Sequence, residues 1–134
     1  MPVERNETLA VNRSEDVVLV RAKTRDWSIS LGFTIVEQTK MVTAASELAR
    51  NLVVHAGGGT VRLETINSEQ RRGLRLTFED QGPGIADIQQ ALRDGFSSKG
   101  GLGLGLSGSK RLVNEFDISS TPGEGTRICI VRWK

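Results

Sequence analysis

The sequence predicts an α+β two-layer sandwich with helices lying on one face of a sheet. Hydrophobic residues recur at helical spacing from Ser14 to about His55, then at a spacing of two from Thr60 to Phe78 and again toward the end of the chain. The resulting order of strand, two helices, two strands, two helices and two strands is the pattern of that architecture. At 134 residues the chain fits one domain, 1–134, large enough to bury a core without disulfides or a structural metal.

The elements follow in order. Thr8 to Asn12 reads as a short first strand. Ser14, followed by Glu15 and Asp16, marks a helix start, where a hydroxyl cap and early acids satisfy exposed amides and the positive dipole end. Val17, Val20, Thr24, Trp27 and Leu31 continue that helix to Gly32. Thr34 and Glu37 have the spacing of a capping box, opening a second helix that Gly57-Gly58-Gly59 stops. Val61, Leu63 and Thr65 alternate with Arg62, Glu64 and Ile66, and Leu74, Leu76 and Phe78 alternate likewise after the polar turn Asn67 to Arg72. This predicts an antiparallel hairpin whose second strand delivers Asp80. Ile85 to Arg93 reads as a short helix, Asp94 to Gly103 as a lid and Leu104 to Phe116 as a longer helix. Ile118 to Thr121 and Arg127 to Trp133 form a closing hairpin around Pro122 to Gly125.

Composition narrows the function. Eighteen Lys and Arg face 16 Asp and Glu, too even a balance for the polyphosphate-binding surface of a nucleic-acid protein. Arg71-Arg72, the densest basic pair, is expected in a solvated loop. The single cysteine, Cys129, excludes an internal disulfide and a cysteine-rich zinc site, and its apolar neighbours suggest a buried thiol. No apolar run approaches the roughly 20 residues needed to cross a bilayer, and the start is too polar for a signal peptide. A soluble cytoplasmic protein without a membrane or nucleic-acid partner is expected.

The chemistry concentrates in four segments. In Gly100-Gly101-Leu102-Gly103-Leu104-Gly105, glycine density lets backbone amides close around phosphates, with Lys99 adding a charge. The spelling Gly103-x-Gly105-x-x-Gly108 is accidental as a dinucleotide fingerprint, because no hydrophobic strand precedes it. Asp80-x-Gly82-x-Gly84 places a carboxylate at a strand end, able to accept a hydrogen bond from an exocyclic amine such as adenine's. An ordinary turn capped by Asp80 or Asp87 would read the same way. Glu47, Asn51 and His55, with Thr43, make one polar helix stripe. Asn51 can complete the shell of Mg2+ on phosphate oxygens, and Glu47 can accept a hydroxyl proton, although a solvated face would show the same pattern. His55 is read first as a helix-end cap. Gly123-Glu124-Gly125-Thr126 completes the set.

These four segments in this order resemble the ATPase superfamily that includes gyrase, Hsp90, histidine kinases and MutL, from about Ser14 to Trp133. The resemblance implies the Bergerat ATP-binding fold, with a mixed, mostly antiparallel sheet covered by helices on one face. It implies ATP and Mg2+ as cofactors, Glu47 as catalytic base, Asn51 as magnesium ligand and Asp80 as adenine contact. Gly82 and Gly84 would belong to the adenine box, Lys99 to Gly105 to the phosphate lid and Thr126 to the last box. Within the superfamily, Ser46 to Asn51, Glu79 to Ile85 and Lys110 to Phe116 resemble the small anti-sigma-type switch kinases, especially RsbT-like serine/threonine kinases of the stressosome. His55 departs from the tyrosine expected there and matches the anti-sigma cousins. The implied function is phosphorylation of a STAS-domain antagonist or stressosome scaffold protein, with release to activate a partner serine phosphatase. The alternative is an anti-sigma factor that sequesters a sigma factor with nucleotide-tuned affinity. An isolated sensor-kinase catalytic domain is disfavoured, since no upstream helix carries a phosphoacceptor histidine.

Overall fold

The computed structural model describes residues 3–92 and 106–134. Strand β1 (Val3–Val11) leads into helices α1 (Ser14–Ser30) and α2 (Ile35–Ala56), followed by strands β2 (Gly59–Ser68) and β3 (Arg71–Asp80). Two short helices, α3 (Ile88–Ala91) and α4 (Leu106–Arg111), precede strands β4 (Glu115–Thr121) and β5 (Gly125–Trp133). The strands form a five-stranded sheet in the order β1-β2-β3-β5-β4. Each neighbouring pair is antiparallel, so the expected mostly antiparallel sheet contains no parallel ladder among the described residues.

Strand alternation divides the sheet into two chemistries. Leu76 and Phe78 of β3 stand opposite Leu63 and Val61 of β2 and Ile130 and Ile128 of β5, and these six residues, with Leu74, are buried beneath the helices. Met41, Ala44, Ala45, Leu48, Ala49 and Leu52 of α2 fill the same core, with Val20 and Trp27 of α1. The small alanines let α2 lie close to its neighbours. On the other face, Glu64 pairs with Arg75 at 2.9 Å and Glu79 with Arg127 at 3.5 Å across neighbouring strands. Ile66, Val131 and Trp133 make a small second cluster there.

The two long helices start differently. Thr34 Oγ1 accepts from the Glu37 amide at 3.1 Å, while Glu37 Oε1 accepts from the Thr34 amide at 2.8 Å, the capping box foreseen from spacing. Ser14, by contrast, is not the cap of α1. That place belongs to Arg13, and Asp16 Oδ2 accepts from the Asn12 and Arg13 amides at 2.9 and 3.1 Å. These bonds hold both the Asp16 and Glu37 carboxyls below their ordinary acidity range.

Several boundaries shift because tertiary pairing overrides local pattern. The first strand begins at Val3 rather than Thr8, since β2 offers partners as far as Ile66. Arg71 and Arg72 belong to β3 and not to a loop: Arg72 reaches Glu4 at 2.8 Å, and Arg71 lies over the Trp133 ring at 4.6 Å. Cys129 is half-buried rather than buried, because alternation turns Ile128 and Ile130 into the core and Cys129 to the other face. The helix expected to run to Phe116 ends at Arg111, and Phe116 lies in β4. No helix among the described residues is long and apolar enough to cross a membrane.

Candidate functional site

The second helix and the ends of two central strands enclose a cavity of about 110 Å3. Its walls are largely apolar: Leu48, Leu52 and Ala56 from α2, Phe78 from β3, Pro83 and Ile85 from the following turn, and Ile128 from β5. Asn51, His55, Asp80 and Thr126 add polar atoms. An apolar slot with a few convergent polar groups suits a planar heteroaromatic ligand, whose faces need dispersion contact and whose edge needs specific partners.

Asp80 is the last residue of β3, and Thr126 stands opposite it in β5. Asp80 Oδ1 accepts from the Gly82 amide at 2.8 Å. Its second oxygen has no protein partner among the described residues, leaving a charged acceptor available at the cavity. The competing role of helix cap falls to Asp87, whose Oδ1 accepts from Gln90 at 2.9 Å at the start of α3. Gly82 passes so close to α2 that a Cβ there would lie 2.8 Å from the Ala56 methyl. Gly84 has φ +75°, and a Cβ on it would run into the Thr121 carbonyl oxygen. Both glycines in this turn are therefore sterically required.

Ser120, which sequence reasoning did not single out, organises the far side. Its Oγ accepts from the Ile85 amide at 2.7 Å and lies 3.0 Å from the Gly125 carbonyl oxygen and 2.9 Å from Thr126 Oγ1. A hydroxyl has one proton. With that of Ser120 given to Gly125, Thr126 donates to Ser120 and keeps lone pairs for an incoming donor. The signal available in sequence was weak, a serine in an alternating strand two residues before proline.

The predicted stripe on α2 rotates from solvent into this cavity. Thr43 is exposed, Glu47 half-buried, and Asn51 and His55 line the cavity. Glu47 itself does not line it and stands one turn before Asn51, at the rim. His55 is not the helix cap, which is Gly57. Burial and then the charge of Arg50 lower the His55 pKa, favouring the neutral imidazole. Lys99, Gly100, Gly101, Leu102, Gly103, Leu104 and Gly105 lie outside the described residues, as does the whole of the expected lid from Asp94 to Gly103.

The free Asp80 oxygen and the lone pairs of Thr126 suit the donor amine of adenine within the apolar slot. No group of three or more His, Cys, Asp or Glu side chains able to hold a metal occurs among the described residues. A cation here would take the Asn51 carbonyl and draw its remaining ligands from phosphate and water, as Mg2+ commonly does.

Residues 36–134 match the family described as histidine kinase-, DNA gyrase B-, and HSP90-like ATPase. The serine/threonine-protein kinase RsbT of Bacillus subtilis is 47% identical over 118 residues, covering 88% of this chain and 89% of that protein. An anti-sigma F factor of a Thermoanaerobacter species is 27% identical over 128 residues, covering 92% and 89%. Among solved structures, the RsbU and RsbW domains of a Mycobacterium tuberculosis protein align with a TM-score of 0.62 at 19% identity, over 96% of this chain and 33% of that one. That last likeness shows the fold.

Proposed function

The chain belongs to the histidine kinase-, DNA gyrase B-, and HSP90-like ATPase family, and from that premise we propose that its cavity binds ATP with Mg2+ for phosphoryl transfer to a serine or threonine of a STAS-domain protein. It is a serine/threonine-protein kinase of the RsbT kind, acting by partner switching. The observation that carries the site assignment is the unshared Asp80 oxygen at an apolar cavity whose rim holds Glu47 and Asn51 on successive turns of α2.

Asp80 and Thr126 select the adenine edge, while Leu48, Phe78, Ile85 and Ile128 shield the ring from water. Magnesium, when bound, neutralises charge on the phosphate oxygens. Asn51 would hold the ion through its side-chain oxygen. Glu47 takes the proton from the acceptor hydroxyl, whose oxygen forms the bond to the γ-phosphorus as ADP leaves. After transfer, the phosphorylated antagonist releases the kinase to a serine phosphatase.

Glu47→Ala and Asn51→Ala test these roles. Removing the base lowers phosphotransfer by about a hundred- to ten-thousandfold while ATP binding persists. Losing Asn51 abolishes magnesium-dependent binding and transfer together. A radiolabel assay on a STAS-domain protein, beside calorimetric ATP titration, reads both. Parent-rate transfer by Glu47→Ala with normal ATP binding overturns the assignment, and capture of a sigma factor instead of a STAS protein would favour the anti-sigma function.

A further inference from the structure

Six residues of α2 recur at intervals of four, three, four, three and four: Val36, Lys40, Thr43, Glu47, Arg50 and Val54. On a helix of 3.6 residues per turn they fall within a stripe about 80° wide. Five are exposed and Glu47 is half-buried, with Val36 and Val54 keeping 62% and 55% of their surface open. The cavity-lining residues Leu48, Asn51, Leu52 and His55 project roughly 60–160° round the helix from the centre of this stripe. The stripe and the cavity thus share an edge, and Glu47 stands on the stripe beside it.

The stripe's charges are poised for an incoming partner. Lys40 and Arg50 have no ion-pair partner among the described residues, although the exposed cations Arg72 and Arg127 do. Arg50 also stays clear of Glu47, three residues away on the same face. The centre of the stripe therefore presents two uncompensated cations flanking Glu47, with a large apolar side chain exposed at either end.

We propose that this stripe is the docking surface for the phosphoacceptor protein, and that it selects a partner carrying acidic side chains beside its acceptor hydroxyl and apolar side chains beyond them. Lys40 and Arg50 meet the carboxylates, Val36 and Val54 bury against the apolar flanks, and the hydroxyl arrives at Glu47. Charge complementarity of this kind fixes register and speeds encounter. Neither cation lines the nucleotide slot. This inference rests on the kinase reading above.

The test uses the full chain and the STAS-domain protein that the parent phosphorylates. Lys40→Glu with Arg50→Glu should raise KM for the STAS protein at least tenfold, with ATP affinity and thermal midpoint at parent values. Val36→Ser with Val54→Ser should raise it severalfold, and Arg50→Lys should restore most of the loss. The parent's kcat/KM should fall steeply with salt, and that of the charge-reversed variant should not. Parent KM in both double variants overturns the docking surface while leaving the kinase reading intact. A fall in ATP affinity matching the loss of transfer would also overturn it, making Arg50 a nucleotide contact. Absence of transfer from the parent to any STAS-domain protein sinks both readings.

Discussion

Asp80→Asn separates recognition from folding at the centre of the cavity. The substitution is nearly isosteric, and the amide oxygen can take over the 2.8 Å bond from the Gly82 amide, so the turn persists. What disappears is the second, unshared carboxylate oxygen, replaced by an NH2 group that faces the adenine amine donor to donor. A hydrogen bond to a charged group contributes about 1.5–3 kcal/mol, which corresponds to roughly ten- to 150-fold in affinity. Calorimetric titration should therefore show ATP binding weakened by that factor. Without ligand, a change below about 1 kcal/mol would move the thermal midpoint by no more than about 3–5 °C for a chain of this size. Guanine presents a carbonyl where adenine carries its amine, so the variant should bind GTP no worse than the parent, and the ATP-to-GTP preference should narrow. ATP affinity within twofold of the parent, with an unchanged preference, would refute the argument that Asp80 reads the base.

Two further outcomes follow from the helices that frame the cavity. Thr34→Ala removes half of the capping box of α2 and should destabilise the fold by about 1 kcal/mol, read as a lowered urea midpoint; an unchanged midpoint would mean that the box contributes nothing measurable. His55 is the only histidine, and its pKa is lowered from the ordinary 6.5 by burial and by Arg50. The unfolded chain therefore binds this proton first as pH falls, so stability is full above about 6.5 and declines as pH drops toward the folded value. Urea midpoints between pH 7 and 5 should show that slope, and His55→Gln should remove it.

Much of this arrangement was legible in local chemistry. The box at Thr34 and Glu37 needs only neighbouring residues, and the period-two run ending at Asp80 specifies both the strand and the face of its last side chain. Features that depend on distant partners were not legible. Leu112, Val113 and Phe116 keep helical spacing, yet the Arg132 guanidinium donates to the Leu112 carbonyl at 2.8 Å, and the Asn114 amide donates to Val131 at 2.9 Å. The Asn114 side chain in turn accepts from the Trp133 amide at 2.7 Å. Pairing with β5 thus captures residues that local pattern would leave in a helix. Ser120 was hidden for the same reason, since its three polar neighbours come from the turn before α3 and from the start of β5.

The alternation that builds the core also places the candidate site, which is why both could be read from one strand. Leu74, Leu76 and Phe78 point toward the helices, and two residues further the same parity brings Asp80 onto that face, opposite Thr126 on the last rung between β3 and β5. Slipping that register by one residue would turn every apolar side chain of the strand to solvent. It would also put Glu79, which pairs with Arg127 on the other face at 3.5 Å, where Asp80 now stands. Burial of three large apolar side chains therefore fixes the orientation of one carboxylate, and the chain needs no separate device to aim it. The helix layer supplies the complementary half. Leu48 and Leu52 pack into the same core, and their burial sets the rotation of α2 that brings Asn51 and His55 to the cavity and leaves Glu47 at its rim. The hydrophobic pattern of β3 and α2 thus carries the positional information for chemistry as well as the energy for folding.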